Sequence, residues 1–432
     1  MQMVESVEIT TLVHGGSGLG HGEDGKAVFV AGAIPGDHVR CRTVQEKKRY
    51  RKADLVELLT SSPQRIVPAC SHFGDCGGCD WQMLSYSDQC DWKQRLFEQS
   101  CAHQLGEEVI ERMVALRVAD EPFGYRSRVQ MKCHAAHGAF ALGFYRRGTH
   151  YVVQVDHCPI LAPSLNALLG PLRQLFAGSD YADQVPQIDL ATGDDRAVRL
   201  VIHYRGDVTD RFCGWLGRRV SGLKAAVLVQ SGRKQQLRCV QGGELLTIQV
   251  DDPPLALHYG PGGFAQINLA QNRELVRRVL DWAAVTEQEK VLDLYCGMGN
   301  FSLPLARRAA RVIGVEDYAP SIAQARDNAR QAGLTAEFHV QPAADFLAGW
   351  REPLDLVVLD PPRTGAWEAV GPLLEALPQR IVYVSCDQQT LLRDLKPLLG
   401  RAYQLERIGA VDLFPQTHHT EAVALLRRRS VV

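Results

Sequence analysis

Two kinds of cysteine in this chain could do chemistry. One is Cys386, which ends the run Arg380-Ile381-Val382-Tyr383-Val384-Ser385. Four apolar residues, mostly β-branched, read as a buried parallel strand, with the thiol at the carboxyl edge where open α/β sheets bind ligands. A thiol there is either packing or a nucleophile. The other kind is a cluster, Cys70-x5-Cys76-x2-Cys79, interleaved with Gly74, Gly77 and Gly78, with a fourth candidate in Asp156-His157-Cys158-Pro159. Glycine lets backbone approach a bound inorganic group closely. Four thiolates suit structural zinc or an iron–sulfur cluster. Zinc favours two short-spaced pairs, so three close ligands with a remote fourth lean towards iron–sulfur. Cys90, Cys101 and Cys133 lack such spacing and read as packing residues.

Further chemistry lies around Cys386. The strand Lys290-Val291-Leu292-Asp293-Leu294 opens into Tyr295-Cys296-Gly297-Met298-Gly299-Asn300 and a helix from about Phe301 to Arg308. Glycines there let backbone amides approach a cofactor at a helix start. The next strand, Arg311 to Val315, ends at Glu316, where a carboxylate can hold ribose hydroxyls. Ser321 is expected to N-cap the following helix, through Gln331. The strand Leu354 to Leu359 ends in Asp360-Pro361-Pro362-Arg363-Thr364-Gly365, and its prolines turn the chain out of the sheet and hold Asp360 at the edge. Asp412-Leu413-Phe414-Pro415-Gln416-Thr417-His418-His419-Thr420-Glu421 precedes a last strand, Ala422 to Leu426. Asp387 and Asp394 read as solvated or capping residues.

These groups need a scaffold, and the chain has one. Its 432 residues suggest about three domains. Hydrophobic content of 46% and charged content of 22% are those of a soluble globular protein, and a net charge of −1 says nothing about partners. Met1-Gln2-Met3-Val4-Glu5-Ser6 lacks the pattern of a leader, and no apolar run is long enough to span a membrane. Twelve cysteines then sit in a reducing cytoplasm, where clusters mean metal or catalysis rather than disulfides. Residues 1–62 are read as a small β-barrel: strands at Val4–Ile9, Lys26–Val30, Val39 and Asp54–Leu59, with Gly-rich turns. Seven Lys/Arg against the single Glu46 fill Arg40 to Lys52, and with Tyr50 they suit phosphate contact and base stacking. Residues 63–255 form an α+β unit around the cysteine cluster. It has a helical run from Trp81 to about Leu105 and strands between Tyr125 and His157, where Tyr125, Arg126, Arg128, Tyr145, Arg146 and Arg147 interleave aromatics with cations. Residues 256–432 alternate β and α, the pattern of a Rossmann-like sheet.

Resemblances sharpen this. The Gly15-to-Gly20 loop, Val28-Phe29-Val30, Pro35-Gly36-Asp37 and the Lys-Lys-Arg-Tyr run resemble a TRAM domain, a small OB-like RNA-binding barrel. Asp293-x3-Gly297-x-Gly299 with Glu316 resembles the S-adenosylmethionine loop of class I methyltransferases. Asp-Pro-Pro loops also occur in methyltransferases that act on base nitrogens. The pairing of Cys386 with Glu421 selects carbon 5 of a uracil: a thiolate adds to carbon 6, the resulting enolate takes a methyl group, and a base removes the carbon-5 proton. His418 and His419 rival Glu421 as that base. Together these motifs are similar to the RNA 5-methyluridine methyltransferase family, in its iron–sulfur, TRAM-bearing branch that modifies large-subunit ribosomal RNA.

That resemblance implies a [4Fe–4S] cluster on Cys70, Cys76, Cys79 and Cys158. It implies contacts to S-adenosyl-L-methionine or the target base from Gln266, Tyr295, Asn300, Glu316 and Asp360, with Cys386 as nucleophile and Glu421 as base. The expected partner is structured RNA, foremost 23S rRNA, with no membrane and no DNA. A tRNA uridine, a purine nitrogen methylated without a covalent step, and RNA binding without catalysis are the alternatives. Two departures stand out. The family reads Ser-Cys-Asn-Pro where this chain has Ser385-Cys386-Asp387-Gln388, so the loop is expected to be less constrained and the extra carboxylate to disfavour the thiolate. The adenine contact expected near His339 to Asp345 falls to Gln341 or Asp345.

Overall fold

The computed structural model describes residues 3–206, 209–232 and 236–430; Met1 and Gln2 of the N-terminal stretch lie outside them. Strands β1 (Val4–Leu12), β2 (Gly18–His21), β3 (Ala27–Ala31), β4 (His38–Glu46) and β5 (Tyr50–Thr60) close a small barrel in the order β1-β2-β3-β5-β4. Period-two alternation turns Val7, Ile9, Val28, Val30, Val39, Cys41 and Ala53 inward. The basic run is strand rather than loop except at its tip, where Lys47, Lys48 and Arg49 stand exposed. Arg51 points the other way: it is 3% exposed and pairs with Glu5, Asp24 and Glu46. Arg40 pairs with Glu57. Two of the seven cations are therefore committed inside the barrel's own ion pairs. Tyr50 packs edge-on against Phe29.

Helix α1 (Tyr86–Leu105) begins later than its apolar spacing suggests. Ser85 caps it by accepting from the Asp88 amide, while Trp81, Met83 and Leu84 are drawn into a separate small core with Leu12 and Ile34 of the barrel. After α1 come β6 (Met113–Arg117), β7 (Arg128–Ala136), β8 (Ala139–Tyr145), β9 (Val152–Gln154), α2 (Pro163–Phe176), β10 (Gln187–Thr192), β11 (Val198–Tyr204), α3 (Thr209–Val220), β12 (Ala226–Ser231) and β13 (Gln236–Gln241). All these strands but β6 form a seven-stranded sheet, β13-β12-β11-β10-β7-β8-β9. Its core takes the apolar stripes of α2 (Leu165, Leu168, Leu169, Leu172) and α3 (Phe212, Leu216, Val220).

A two-stranded ribbon, β14 (Leu246–Val250) and β15 (Leu255–Tyr259), leads to α4 (Leu269–Ala283). Then follow β16 (Lys290–Leu294), α5 (Ser302–Ala306), β17 (Arg311–Glu316), α6 (Ala319–Gln331), β18 (Glu337–Val340), α7 (Ala343–Gly349), β19 (Leu356–Leu359), α8 (Trp367–Ala376), β20 (Arg380–Ser385), α9 (Gln388–Arg401), β21 (Tyr403–Val411) and β22 (Glu421–Arg428). They build an eight-stranded sheet, β18-β17-β16-β19-β20-β22-β21-β6, parallel through β20, with β22 antiparallel to both its neighbours. The strands are buried on both faces, hence their continuous apolar runs. This sheet reaches back across residue 256. β6 adds its edge in parallel with β21, Phe97 and Cys101 of α1 join one core, and β14 packs with the other. α6 starts before Ser321. Tyr318 is its N-cap, Pro320 occupies the first turn that suits its fixed φ, and Ser321 is buried inside the helix. Among the described residues no helix is long and apolar enough to cross a membrane.

Candidate active site

Strand register brings Cys386 and Glu421 together. The β20–β22 ladder pairs Val384 with Val423 and Ser385 with Ala422. The ladder ends there, and Cys386 and Glu421 are the next residue on either side, so both stand at the same end of this strand pair. Glu421 is 2% exposed and Cys386 is half-buried. Burial pushes the Cys386 thiol up to about 11, with the Glu421 and Asp360 carboxylates adding to the rise and the Arg363 guanidinium opposing it. Burial also drives the Glu421 carboxyl well above its usual range, helped by Asp360 and again opposed by Arg363. Arg363 is thus the cation that favours the ionised form of both groups. The sequence reading placed Arg363 in the Asp-Pro-Pro turn without giving it a role.

The loop after Cys386 is constrained, contrary to expectation. Asp387 is the N-cap of α9 and accepts from the Gln389 and Thr390 amides, both at 3.0 Å. Its carboxylate is directed at the helix terminus, a contact worth about 1 kcal/mol. Ser385 Oγ bonds across the same turn to Asp387. Gln388, the first residue of α9, is buried, and its Nε2 donates to Thr420 Oγ1 at 2.7 Å. Asp394 is neither solvated nor capping. It is fully buried, accepts from Tyr383 Oη at 2.7 Å and from the Ala366 amide at 2.8 Å, and so fastens the turn after Asp360 to β20.

The glycine loop lies between β16 and α5. Gly297 (φ +55°) and Gly299 (φ +96°) are both left-handed, and a Cβ on Gly297 would meet nothing within 4 Å, so there is open space beside the loop at that residue. Tyr295 holds φ +63°, unusual for a bulky residue and typical of functional sites. Glu316 accepts from the Gly297 amide at 3.3 Å and the Tyr318 amide at 3.0 Å. Asn300 exchanges two amide hydrogen bonds with Asn272 of α4, tying the loop to that helix. Gln266 is buried in the segment entering α4, and near it Phe264 is 62% exposed. Gln341, half-buried, donates its amide to Glu316 O, whereas Asp345 is exposed on α7. Burial raises Asp360 to about 7 and, with Asp360 and Glu316 as further causes, Asp293 to about 7. Asp293 Oδ1 is buried without a partner. Carboxylates crowded on one sheet edge, with open space at Gly297, fit a cationic ligand such as a sulfonium with an α-ammonium.

The clustered thiols occupy loops. Cys70, Cys76 and Cys79 lie before α1, and Cys158 lies after β9. The Gly77 amide donates to Tyr145 O and Arg147 donates to Asp80, so the first loop is laid against the β8–β9 turn. Among the described residues no group of three His, Cys, Asp or Glu side chains is gathered tightly enough to hold a metal ion. The four thiols nevertheless feel one another. Burial lifts Cys79 to about 12, with Cys158, Cys76 and Cys70 adding to the rise. It lifts Cys76 to about 11, and the Gly78 amide and Arg126 oppose it. The Ile160 and Leu161 amides and Arg126 do the same for Cys158.

The interleaved cations therefore divide. Arg126 faces thiols, Arg128 donates to Gly263 O, and Tyr125 Oη donates to Pro415 O, all inside the fold. Tyr145, Arg146 and Arg147 are exposed, and Arg146 stacks on Tyr151. His418 is committed to Asp80 at 2.8 Å, and burial with His418 beside it lowers His419 to about 4, which removes neither as a neighbour of the site but makes both poor rivals to Glu421. Burial lowers the His14 imidazole of the barrel end, with His418 adding to the fall and Asp387 opposing it. That influence joins residues far apart in the chain and leaves no local sequence signal.

Comparison with known proteins shows the family. Residues 108–341 and 352–429 match the family model described as tRNA (Uracil-5-)-methyltransferase. The chain is 36% identical over 436 residues to the 23S rRNA (uracil(1939)-C(5))-methyltransferase RlmD of Shewanella woodyi, covering 97% of this chain and 95% of that protein. It is 37% identical over 440 residues to the protein of the same name from Alkalilimnicola ehrlichii, covering 98% and 96%. The crystal structure of Pyrococcus abyssi tRNA (uracil-54, C5)-methyltransferase with S-adenosyl-L-homocysteine superposes with a TM-score of 0.75 at 25% identity, covering 99% of this chain and all of that one. The chain belongs to the RNA uracil-C5-methyltransferase family.

Proposed function

We propose that this protein methylates carbon 5 of a uridine in structured RNA, with 23S rRNA as the substrate, through a covalent adduct on Cys386. The observation that supports the reading is a β20–β22 ladder that ends one residue short of both Cys386 and the buried carboxyl of Glu421, with Arg363 acting on both. S-adenosyl-L-methionine supplies the methyl group. Gln266, Tyr295, Asn300, Glu316 and Asp360 surround its place, and Glu316 sits where ribose hydroxyls are held. The target base leaves its stack to reach the thiol. Cys386 sulfur adds to carbon 6, and carbon 5, now enolate-like, accepts the methyl group. Glu421 then takes the carbon-5 proton, the carbon–sulfur bond breaks, and the thiolate is restored. Exposed Phe264 offers a stacking face, and the Lys47-Lys48-Arg49 tip of the TRAM-like barrel offers cations to the RNA backbone.

Cys70, Cys76, Cys79 and Cys158 suit a [4Fe–4S] cluster. All four candidate ligands are thiols, amides and Arg126 act on Cys76 and Cys158, and a cube of four irons keeps its thiolates further apart than the roughly 4 Å implied by tetrahedral zinc–sulfur bonds of about 2.3 Å. Brown protein containing iron and sulfide is expected; a colourless protein with stoichiometric zinc would sink this assignment.

The test of the activity uses 23S rRNA and tRNA transcripts with labelled donor. Label should enter 23S rRNA as 5-methyluridine, and a 5-fluorouridine transcript should trap a stable adduct at Cys386. Label confined to tRNA would move the substrate. Label on a purine nitrogen, without an adduct, would replace the mechanism. Absence of any donor binding would leave an RNA-binding protein.

A further inference from the structure

We propose that Gln388 is a positioning residue for the base Glu421, acting through Thr420; the inference rests on the covalent reading above. Gln388 is the first residue of α9, where the backbone N–H needs no partner inside the helix. Asp387 caps the helix, and the Gln388 side chain reaches sideways, its Nε2 donating to Thr420 Oγ1 at 2.7 Å. Gln388 is 6% exposed and Thr420 is 2% exposed, so water does not compete for the bond.

The position of this tie gives it a role. Ladder pairing ends at Ser385–Ala422, with Cys386 the next residue of one segment and Glu421 the preceding residue of the other. Beyond them the chains part, one into α9 and the other back into the segment 412–420. That segment is pinned to α1 at its far end, by Lys93 on Asp412 and by Gln89 on Gln416. At its near end His418 binds Asp80, and only Thr420 bonds to the nucleophile's own segment among the described residues. The tie therefore holds the residue before the base against the residue two beyond the thiol. Gln388 Oε1 is buried with no partner, a stability cost of the kind functional sites carry.

The test compares Gln388→Ala, Thr420→Val and Thr420→Ser in the full-length protein, on a 23S rRNA transcript and its 5-fluorouridine counterpart. Attack by Cys386 does not need the base, and proton removal does. Gln388→Ala and Thr420→Val should each lower kcat about 10–100-fold with KM for RNA within about twofold. Adduct formation on 5-fluorouridine RNA should stay near wild type, and adduct should build up on the ordinary transcript. Thr420→Ser should restore turnover, and Gln388→Ala with Thr420→Val should be no worse than either alone. Unchanged kcat in both single variants overturns the proposal. So does an adduct rate that falls in step with turnover, because the tie would then serve the nucleophile or the fold. If wild type itself forms no adduct, the covalent reading fails and takes the proposal with it, an outcome recognisable without any variant.

Discussion

The nucleophile edge and the thiol lobe use the same side chain under opposite architecture. Cys386 follows a strand whose ladder ends one residue short of it and of Glu421. Cys70, Cys76, Cys79 and Cys158 sit in loops, held by turns and by the β8–β9 hairpin. Burial raises the thiols in both places, so burial does not decide reactivity. What differs is the company. Cys386 has the Glu421 and Asp360 carboxylates acting on it and the Arg363 guanidinium opposing them. The lobe thiols have each other, backbone amides and Arg126. The two regions touch: Gln416 O accepts from the Asp80 and Trp81 amides, and His418 binds Asp80.

Replacing thiols one region at a time should separate them most sharply. Cys386→Ala should lower methylation by about 10⁴-fold or more and abolish the 5-fluorouridine adduct, with iron and sulfide content unchanged. Cys79→Ser should do the reverse, losing iron and sulfide while still forming the adduct, more slowly. Methylation by Cys386→Ala at near-normal rate, read from labelled 5-methyluridine, would erase the distinction. Glu421→Gln comes next: turnover should fall about 10²–10⁴-fold while covalent RNA–protein complex accumulates on ordinary RNA, visible as a shifted band in denaturing gels. Loss of adduct in that variant would make Glu421 the activator of the thiol rather than the acceptor of the carbon-5 proton.

A third prediction addresses the shared support. Lys93 Nζ and Asp412 Oδ1 are 2.7 Å apart with both side chains fully buried, and Lys93 also donates to Phe414 O. Breaking such a pair from one side typically costs about 3–5 kcal/mol. Lys93→Met should therefore lower the denaturation midpoint clearly, whereas Arg40→Met, which breaks an exposed pair with Glu57, should change it by less than about 1 kcal/mol. Equal midpoints would mean that the segment 412–420 is held by its other bonds.

Much of this was legible before the coordinates. The central strands of the large sheet, the glycine loop and the thiol at its edge follow from local runs, because a strand buried on both faces must be apolar along its length. The Cys386–Glu421 pairing was reachable only through chemistry, since strand order does not appear in a linear pattern. Links between distant segments stayed hidden: β6 joining β21, His418 acting on His14, and Gln388 bonding to Thr420. Charge was the most misleading signal. Arg51 and Arg126 read as RNA-facing cations, yet one neutralises the barrel's own carboxylates and the other faces thiols. Asp387 reads both as a capping residue, which it is, and as a hazard to the thiolate, because sequence adjacency does not tell where a carboxylate points, and this one points at helix amides.

The smallest predicted effect tests the role of company directly. In the free protein Cys386 is held up near 11, so its thiolate fraction, and its alkylation by iodoacetamide, should rise steadily from pH 7 to pH 10. Arg363 favours the thiolate, so Arg363→Met should raise the pKa further and move the profile to higher pH by about one pH unit, roughly tenfold slower labelling at a fixed pH. Glu421 disfavours the thiolate, so Glu421→Gln should move it the other way. Cys79 has neither group among its causes, and its labelling in the same samples should not respond to either substitution. Peptide mass spectrometry reads both cysteines at once. A Cys386 profile indifferent to Arg363 would leave burial as its sole determinant, and the nucleophile edge would then differ from the thiol lobe in geometry but not in electrostatics.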